Sequence, residues 1–179
     1  IGTHVVNGAI YPLTYDLQTD LEPVAMIATN PQILVGKLAI PAKNLKELIA
    51  WVKANADKAS LANAGPGSAA HLCGLQVQKL VGVKLSFVPY RGTGPAMNDL
   101  VGGQIDAMCD QSTSAIPQIA AGTIKAFAVT GSARLPSAPD VPTSTEAGIP
   151  DFDMTIWHGL YAPHGLPSDV IAKYSSGKR

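Results

Sequence analysis

The chain has 179 residues, of which 13 are basic and 13 acidic, so its formal net charge is zero. The charged fraction of 15% lies below the ~25% usual for soluble domains, and no basic stripe suggests a nucleic-acid partner. Apolar runs are interrupted well before the ~20 residues that a membrane-spanning helix requires. These properties favour one or two small globular domains.

The N-terminal third is predicted to contain two strands and one helix. Apolar, β-branched runs at 23–29 and 32–40 predict strands, separated by a turn at Asn30-Pro31. Asn44, with Glu three residues on, is typical of a helix-capping box. The apolar spacing that follows predicts a helix to about residue 56.

A strand–turn–helix pattern then occurs three times in succession. Each β-like run ends in a Gly- or Ser-rich turn, and the helices that follow are predicted at about 68–81, 94–102 and 113–121. A fourth strand is predicted at 124–130. Regular alternation of strands and helices predicts a parallel α/β sheet.

The C-terminal part begins with a proline-dense segment, 134–143, which cannot form a continuous helix or a central strand. It is predicted to be an ordered connection, followed by a short helix at 144–148, a strand at 156–162 and a helix from Ser168. Both ends interrupt a predicted pattern, so we expect the chain to be a fragment of a longer protein.

The three helix starts are candidate anion sites. A helix start carries free N–H groups and a partial positive charge, and several starts at one sheet edge form a pocket for carboxylate or phosphate. We expect Ser68 to cap its helix and leave the N–H groups behind Gly67 free. Thr93 would cap the second helix, and Ser112 or Thr113 the third. The alternative is that each turn is only a structural cap.

Two titratable residues lie beside these turns. His71, one turn into its helix, could contact the ligand or have a plain structural role. Asp110 would repel an anion and suits an amine, a hydroxyl or a bridging water.

Motifs for catalysis and for cofactor or metal binding are absent from the sequence. The Gly-x-Gly-Ser at 65–68 lacks the Gly-Lys-Ser/Thr of a phosphate loop, and the histidines have no metal-binding spacing. His71 and Cys73 cannot form a nucleophile–base pair, because residues two apart on a helix do not face each other. We therefore predict no enzymatic activity, no metal and no cofactor.

The two cysteines, Cys73 and Cys109, lie on apolar patterns. We favour two buried free thiols. The alternative, a disulfide formed in an oxidising compartment, is not decided by the sequence, because two cysteines alone do not reveal a pairing.

Several segments together resemble one family. Phe-Val-Pro-Tyr-Arg-Gly-Thr-Gly-Pro-Ala at 87–96 and Gly-Gln-Ile-Asp at 103–106 resemble the signature of Bug-type receptors, the periplasmic substrate-binding proteins of tripartite tricarboxylate transporters. Asn-Ala-Gly-Pro-Gly-Ser at 63–68, Pro-Asp-Val-Pro-Thr at 139–143 and Trp-His-Gly-Leu at 157–160 agree with it. The resemblance follows the family order along nearly the whole chain. The tail after Lys173 departs from it, and Cys109 stands where a bulkier apolar residue is expected.

The resemblance implies an α/β fold of the type II periplasmic-binding (Venus flytrap) class, with two lobes joined by crossing strands and the first lobe incomplete here. Residues 1–40 would form part of the first lobe and a hinge strand. Residues 41–130 would form the second α/β lobe. Residues 131–179 would connect the lobes and return to the first.

The same resemblance implies a periplasmic receptor that captures a small mono- or dicarboxylate in the cleft between the lobes and delivers it to membrane transporter subunits. The intact protein is expected to be monomeric and to bind no nucleic acid. Two alternatives remain: the ligand-sensing domain of a regulator, and a carboxylate-acting enzyme of similar architecture, which would have to use His71 and Asp110. The candidate ligand-binding residues are Thr3, His4, Gly67, Ser68, His71, Gly92, Thr93, Asp110 and Gln111.

Overall fold

The computed structural model describes residues 5–176. Thr3 and His4 therefore lie outside the described residues. In chain order the helices and strands are α1 (Asn7–Ile10), β1 (Leu21–Lys37), α2 (Leu45–Ala54), β2 (Ser60–Asn63), α3 (Ala69–Val81), β3 (Ser86–Pro89), α4 (Thr93–Val101), β4 (Ala107–Gln111), α5 (Ser112–Ala120), β5 (Ile124–Val129), β6 (Thr155–Pro163) and α6 (Ser168–Ser175).

These elements fall into two compact units. One contains the described residues up to Asn30 together with those from Ile156 onward, and the other is Pro31–Thr155. The first unit holds α1, the N-terminal part of β1, most of β6 and α6, and β6 pairs with β1. The assignment of residues 1–40, 41–130 and 131–179 to lobes of an intact receptor stays a prediction.

The second unit is built on a mixed sheet, not the wholly parallel one predicted. Its strand order is β3-β2-β4-β1-β5. β2 is parallel to β3 and β4, whereas β1 runs antiparallel to both β4 and β5. A strand covered on both faces is a continuous apolar run, and such a run carries no signal for strand direction. The prediction of a parallel sheet is therefore wrong at β1.

The predicted turn at Asn30-Pro31 is also wrong, because β1 continues through it as a single strand. A residue before proline prefers extended backbone, so Asn-Pro is compatible with a strand as well as with a turn. Beyond the proline, the Gln32 N–H donates to the Met154 carbonyl at 3.3 Å and to the Thr130 hydroxyl at 3.0 Å. These long-range bonds hold the segment extended.

The sheet of the second unit has a helical layer on each face. Leu34 and Cys109 belong to the core cluster on the α2 and α3 face. Ile33 and Met108, one position earlier on each strand, belong to the cluster on the α4 and α5 face. The period of two along a strand therefore assigns each residue of β1 and β4 to one face.

The predicted helices after residue 44 are confirmed to within one or two residues, with one exception. Asn44 caps α2 by accepting from the Glu47 N–H at 2.9 Å, and a Glu47 carboxylate oxygen accepts from the Lys43 N–H at 2.8 Å. The predicted helix at 144–148 is wrong, because the segment forms only hydrogen-bonded turns. Gly148, with φ +81°, ends it in a left-handed conformation after about one turn.

The prediction of two free thiols is wrong, because Cys73 and Cys109 form a disulfide. Their Cα atoms are 6.1 Å apart, and both side chains are buried. The bond joins α3 to β4 across 36 residues of sequence. Only the packing of α3 on the sheet brings the two residues together, so their spacing gave no indication of it.

Candidate functional site

The start of α3 is capped as predicted, but its turn uses more N–H groups than expected. The Ser68 hydroxyl accepts from the His71 N–H at 3.2 Å. The Gly67 N–H donates to His71 Nδ1 at 3.2 Å, and the Ser68 N–H donates to the Gly65 carbonyl at 3.1 Å. The prediction that the N–H groups behind Gly67 stay free is therefore wrong for Ser68, whose N–H is used within the turn.

The donors that remain at this helix start lie in its first turn. Within residues 5–176, the backbone N–H groups of Ala69 and Ala70 have no acceptor, as the first N–H groups of any helix lack an intrahelical one. Gly67 has φ +75°, a conformation that favours glycine and that shapes the turn before the helix. The start of α3 thus presents two N–H groups that have no acceptor among the described residues. The turn before them is held by its own hydrogen bonds.

His71 has a structural contact that sequence reasoning left open. Its Nδ1 accepts from Gly67, so in the neutral ring the proton lies on Nε2. The ring also packs edge-to-face on Phe87, with centroids 5.5 Å apart and planes at 87°. The half-buried ring is therefore fixed by two contacts, and Nε2 is the nitrogen that can serve a ligand.

Gln32 on β1 is a candidate residue that the sequence analysis missed. It is 1% exposed, and neither its side-chain oxygen nor its side-chain nitrogen has a hydrogen-bond partner within the described part of the chain. Its Cα lies opposite that of Gln111 on β4. The available signal was a lone amide residue beside the apolar run of β1, which was interpreted only as a strand.

Gln32 and the start of α3 belong to the same face and the same edge of the sheet. Strand alternation puts Gln111 on the face of Cys109, and the disulfide fixes Cys73 of α3 over that face. Gln111 lies two residues beyond Cys109, and Ala69 lies one turn before Cys73. A crossover helix runs antiparallel to the parallel strands that it connects. Moving toward the start of α3 and moving toward the end of β4 therefore lead to the same side of the sheet, where the parallel strands end.

On the opposite face, Asp110 occupies the space between two helix starts. Its carboxylate is 1% exposed and accepts from the Gln111 N–H at 2.8 Å and from the Ser114 hydroxyl at 2.6 Å. Burial raises the pKa of the Asp110 carboxyl, and the Ser114 hydroxyl, the Gln111 N–H and the Thr93 side chain lower it only in part.

The capping roles predicted at these two helices are therefore wrong. The N-cap of α4 is Gly92, with φ +124°, and the N-cap of α5 is Gln111; neither makes a side-chain capping bond. Thr93 and Ser112 are the first residues inside their helices. The chain enters α4 through a backbone conformation that favours glycine, so Gly92 takes the N-cap position and Thr93 lies inside the helix.

The candidate residues thus fall into two groups on opposite faces of one sheet edge. Gly67, Ser68 and His71 form the α3 loop, with Gln111 on the same face. Thr93 and Asp110 form the other group, with Gly92 before them. The predicted pocket formed by the three helix starts together stays a prediction.

Other features of the structure offer less to a charged ligand. Among residues 5–176, no group of three or more His, Cys, Asp or Glu could hold a metal ion. In the same range, no helix has the length and hydropathy to cross a membrane. The first unit has a shallow pocket of about 330 Å³, which is lined by Met26, Trp157 and Tyr161 among others. Its lining has no charged side chain, so it provides no ionic partner for a carboxylate.

Comparison with known proteins gives a consistent family. The model of the tripartite tricarboxylate transporter family receptors (TctC) matches residues 3–179, including the tail that was expected to depart from the pattern. A UPF0065 protein from the TAR-I ttuE-ttuC′ intergenic region of Agrobacterium vitis is 42% identical over 93% of this chain and 49% of its own length. The chain thus spans about half the length of this curated relative.

Two solved structures carry the same fold. MatC (Rpa3494) from Rhodopseudomonas palustris, solved with bound malate, is 40% identical with a TM-score of 0.89, over 98% of this chain and 60% of that one. The periplasmic binding protein BugD is 48% identical with a TM-score of 0.84, over 89% of this chain and 54% of that one. The predicted periplasmic-binding fold and the Bug resemblance are confirmed. The chain belongs to the receptor family of the tripartite tricarboxylate transporters.

Proposed function

We propose that the intact protein is a periplasmic receptor that captures a small carboxylate and delivers it to the membrane subunits of a tripartite tricarboxylate transporter. Membership of a receptor family favours this function over a regulator's sensing domain or a carboxylate-acting enzyme. MatC was solved with malate, which supports a mono- or dicarboxylate of similar size as the ligand. We further propose that the intact receptor acts as a monomer.

The observation that carries this proposal is the pairing of free helix-start donors with a buried, unpartnered amide. A carboxylate at Ala69 and Ala70 would accept charge-assisted hydrogen bonds and lie at the positive end of the α3 dipole. Gln32, on the same face, has both amide atoms without a partner among the described residues. A buried polar group without a partner is costly, so a ligand or a bound water at this place would stabilise the site.

The other candidate residues would have different roles around this carboxylate. Gly67 and Ser68 would shape the turn, His71 would offer Nε2, and Gln111 would line the site beside Gln32. Gly92, Thr93 and Asp110 would contact an uncharged part of the ligand or a bridging water, because a buried carboxyl disfavours a second anion. Thr3 and His4 are proposed to contribute from the N-terminal segment.

We propose that the receptor does not transform its ligand, because the described residues of the site include no nucleophile beside a base. His71 Nδ1 is used by Gly67, and Asp110 lies on the other face of the sheet. Incubation of the intact protein with a bound carboxylate, followed by mass spectrometry, should return the ligand unchanged. Conversion that disappears in His71→Ala would contradict this part of the proposal.

Titration calorimetry of the intact protein tests the receptor function directly. We expect small mono- or dicarboxylates to bind and to raise the melting temperature, as any ligand of the native state does. Amines and neutral sugars of similar size serve as matched controls and should have no effect. Binding of these controls with no carboxylate bound would refute the proposal.

A further inference from the structure

The Gln32 side chain is unsatisfied although its backbone is fully bonded. The Gln32 N–H reaches the Met154 carbonyl and the Thr130 hydroxyl, and its carbonyl accepts from the Thr130 N–H at 2.9 Å. The strand therefore does not need the side-chain amide. A buried amide that leaves both polar atoms unpaired among the described residues is costly to keep. The donors and acceptors of the Gln32 amide indicate which ligand groups would pair with it.

The two ends of the amide need opposite partners. Nε2 carries two donors and Oε1 is an acceptor. An ionised carboxylate only accepts, so it can satisfy Nε2 but never Oε1. The partner of Oε1 must be a donor, and on a small carboxylate that donor is a hydroxyl or an ammonium group.

The surroundings favour the hydroxyl. A buried ammonium needs a negatively charged partner. Asp110, the neighbour of Gln111 on β4, belongs to the opposite face of the sheet and already accepts from the Ser114 hydroxyl and the Gln111 N–H. The side chain opposite Gln32 is the neutral amide of Gln111.

We infer that Gln32 is a specificity-determining residue that accepts a hydrogen bond from a hydroxyl group on the ligand and so selects hydroxycarboxylates over their deoxy analogues. The inference rests on the proposed function, because it assumes a carboxylate at the start of α3. It goes further by naming the second group on the ligand and the side chain that recognises it.

Paired ligands test the inference. Affinities of the intact protein would be measured by calorimetry for lactate and propionate, malate and succinate, and citrate and tricarballylate, which differ only in the hydroxyl. We expect the hydroxylated member of each pair that binds to be favoured about tenfold or more, since the site would leave Oε1 unpaired without it. Gln32→Met, of nearly the same shape, should remove this preference while the deoxy compounds still bind.

Gln32→Leu repeats the test with a second apolar side chain, and Gln104→Leu, at an exposed position, is the matched control that keeps the preference. The melting temperature of the ligand-free protein gives an independent readout. Replacement of an unpaired buried amide by an apolar group should raise it by about 2–4 °C or more. A lower melting temperature in both variants would mean that the amide supports the fold, and would overturn the inference.

The outcomes separate this inference from the receptor function. If carboxylates bind but hydroxyl and deoxy compounds bind equally, or if the preference survives in Gln32→Met, the inference fails and the receptor function stands. If only aminocarboxylates bind, the donor is an ammonium and the inference fails. If none of these six compounds binds but another small carboxylate does, the inference fails and the receptor function stands. If no small carboxylate binds, both are refuted.

Discussion

The start of α3 and the starts of α4 and α5 lie at the same edge of one sheet, yet their polar groups are satisfied in different ways. At α5 the protein supplies its own carboxyl, Asp110, which accepts from the Gln111 N–H and the Ser114 hydroxyl, and Thr93 at the start of α4 lowers the pKa of the same carboxyl. At α3 no described acidic side chain fills that place, and Gln32 beside it is unpaired among the described residues. The comparison teaches that a helix start becomes a candidate binding site only where the fold leaves its donors unused.

The disulfide distinguishes the two faces most strongly, since it ties α3 to β4. Replacing both Cys73 and Cys109 by Ala should lower the free energy of unfolding by about 4 kcal/mol, from the entropy of a 36-residue loop. The melting temperature should fall by about 8–15 °C, as measured by calorimetry. Carboxylate affinity should fall as well, because the start of α3 is no longer held over the sheet. A reductant that leaves the melting temperature of the wild-type protein unchanged would contradict the bond's contribution.

The Asp110 cluster is expected to matter for stability and not for the carboxylate. Ser114→Ala removes a hydrogen bond to a buried carboxyl and should cost about 1.5–3 kcal/mol, or about 3–9 °C in melting temperature. Affinity for carboxylates should stay within about twofold, since the change lies on the other face. Ser175→Ala, at an exposed helical serine, is the control. A large loss of affinity without a loss of stability would assign the carboxylate to the α4 and α5 starts instead.

A smaller effect is expected in the pH dependence of stability. Because burial raises the pKa of Asp110 in the folded state, the native protein holds this proton to a higher pH than the unfolded chain does. The protonated Asp110 carboxyl therefore contributes to the free energy of unfolding at every pH below its pKa in the unfolded chain. This contribution is lost as the pH rises through its pKa in the folded protein. The melting temperature of Asp110→Asn should therefore equal that of the wild type in acid and should be slightly higher than that of the wild type at neutral pH. A difference that is the same at about pH 4 and pH 7 would contradict this account.

The local parts of the fold could be predicted from sequence, and the long-range parts could not. Asn44 with Glu47 defined the start of α2, Ser68 defined the start of α3, and glycines defined the ends of α3 and α4, because caps and stops act within a few residues. The direction of β1 could not be predicted in the same way, because it depends on pairing with strands more than 70 residues away. The disulfide depends likewise on how α3 packs against β4.

The candidate site was predicted in the same partial way. Helix starts rich in Gly, Ser and Thr indicated where donors would be, but not which donors the fold would use itself. His71 and Asp110 each take hydrogen bonds from their own turn, and a sequence does not distinguish such a residue from one that faces a ligand. Gln32 required the structure, because only burial shows that its amide has no partner in the described chain.

The most direct test of the account removes one donor from the start of α3 while the helix is preserved. Proline is favoured at the first position of a helix, and Ser68, with φ −64° and ψ 157°, already has the backbone that precedes a proline. Ala69→Pro should therefore leave the melting temperature within about 2 °C of wild type. Ser168→Pro, the same change at the exposed start of α6, is the matched control. We predict that carboxylate affinity, measured by calorimetry on the intact protein, falls about ten- to a hundredfold in Ala69→Pro and is unchanged in Ser168→Pro. Equal affinity in wild type and Ala69→Pro would contradict the claim that the start of α3 binds the carboxylate.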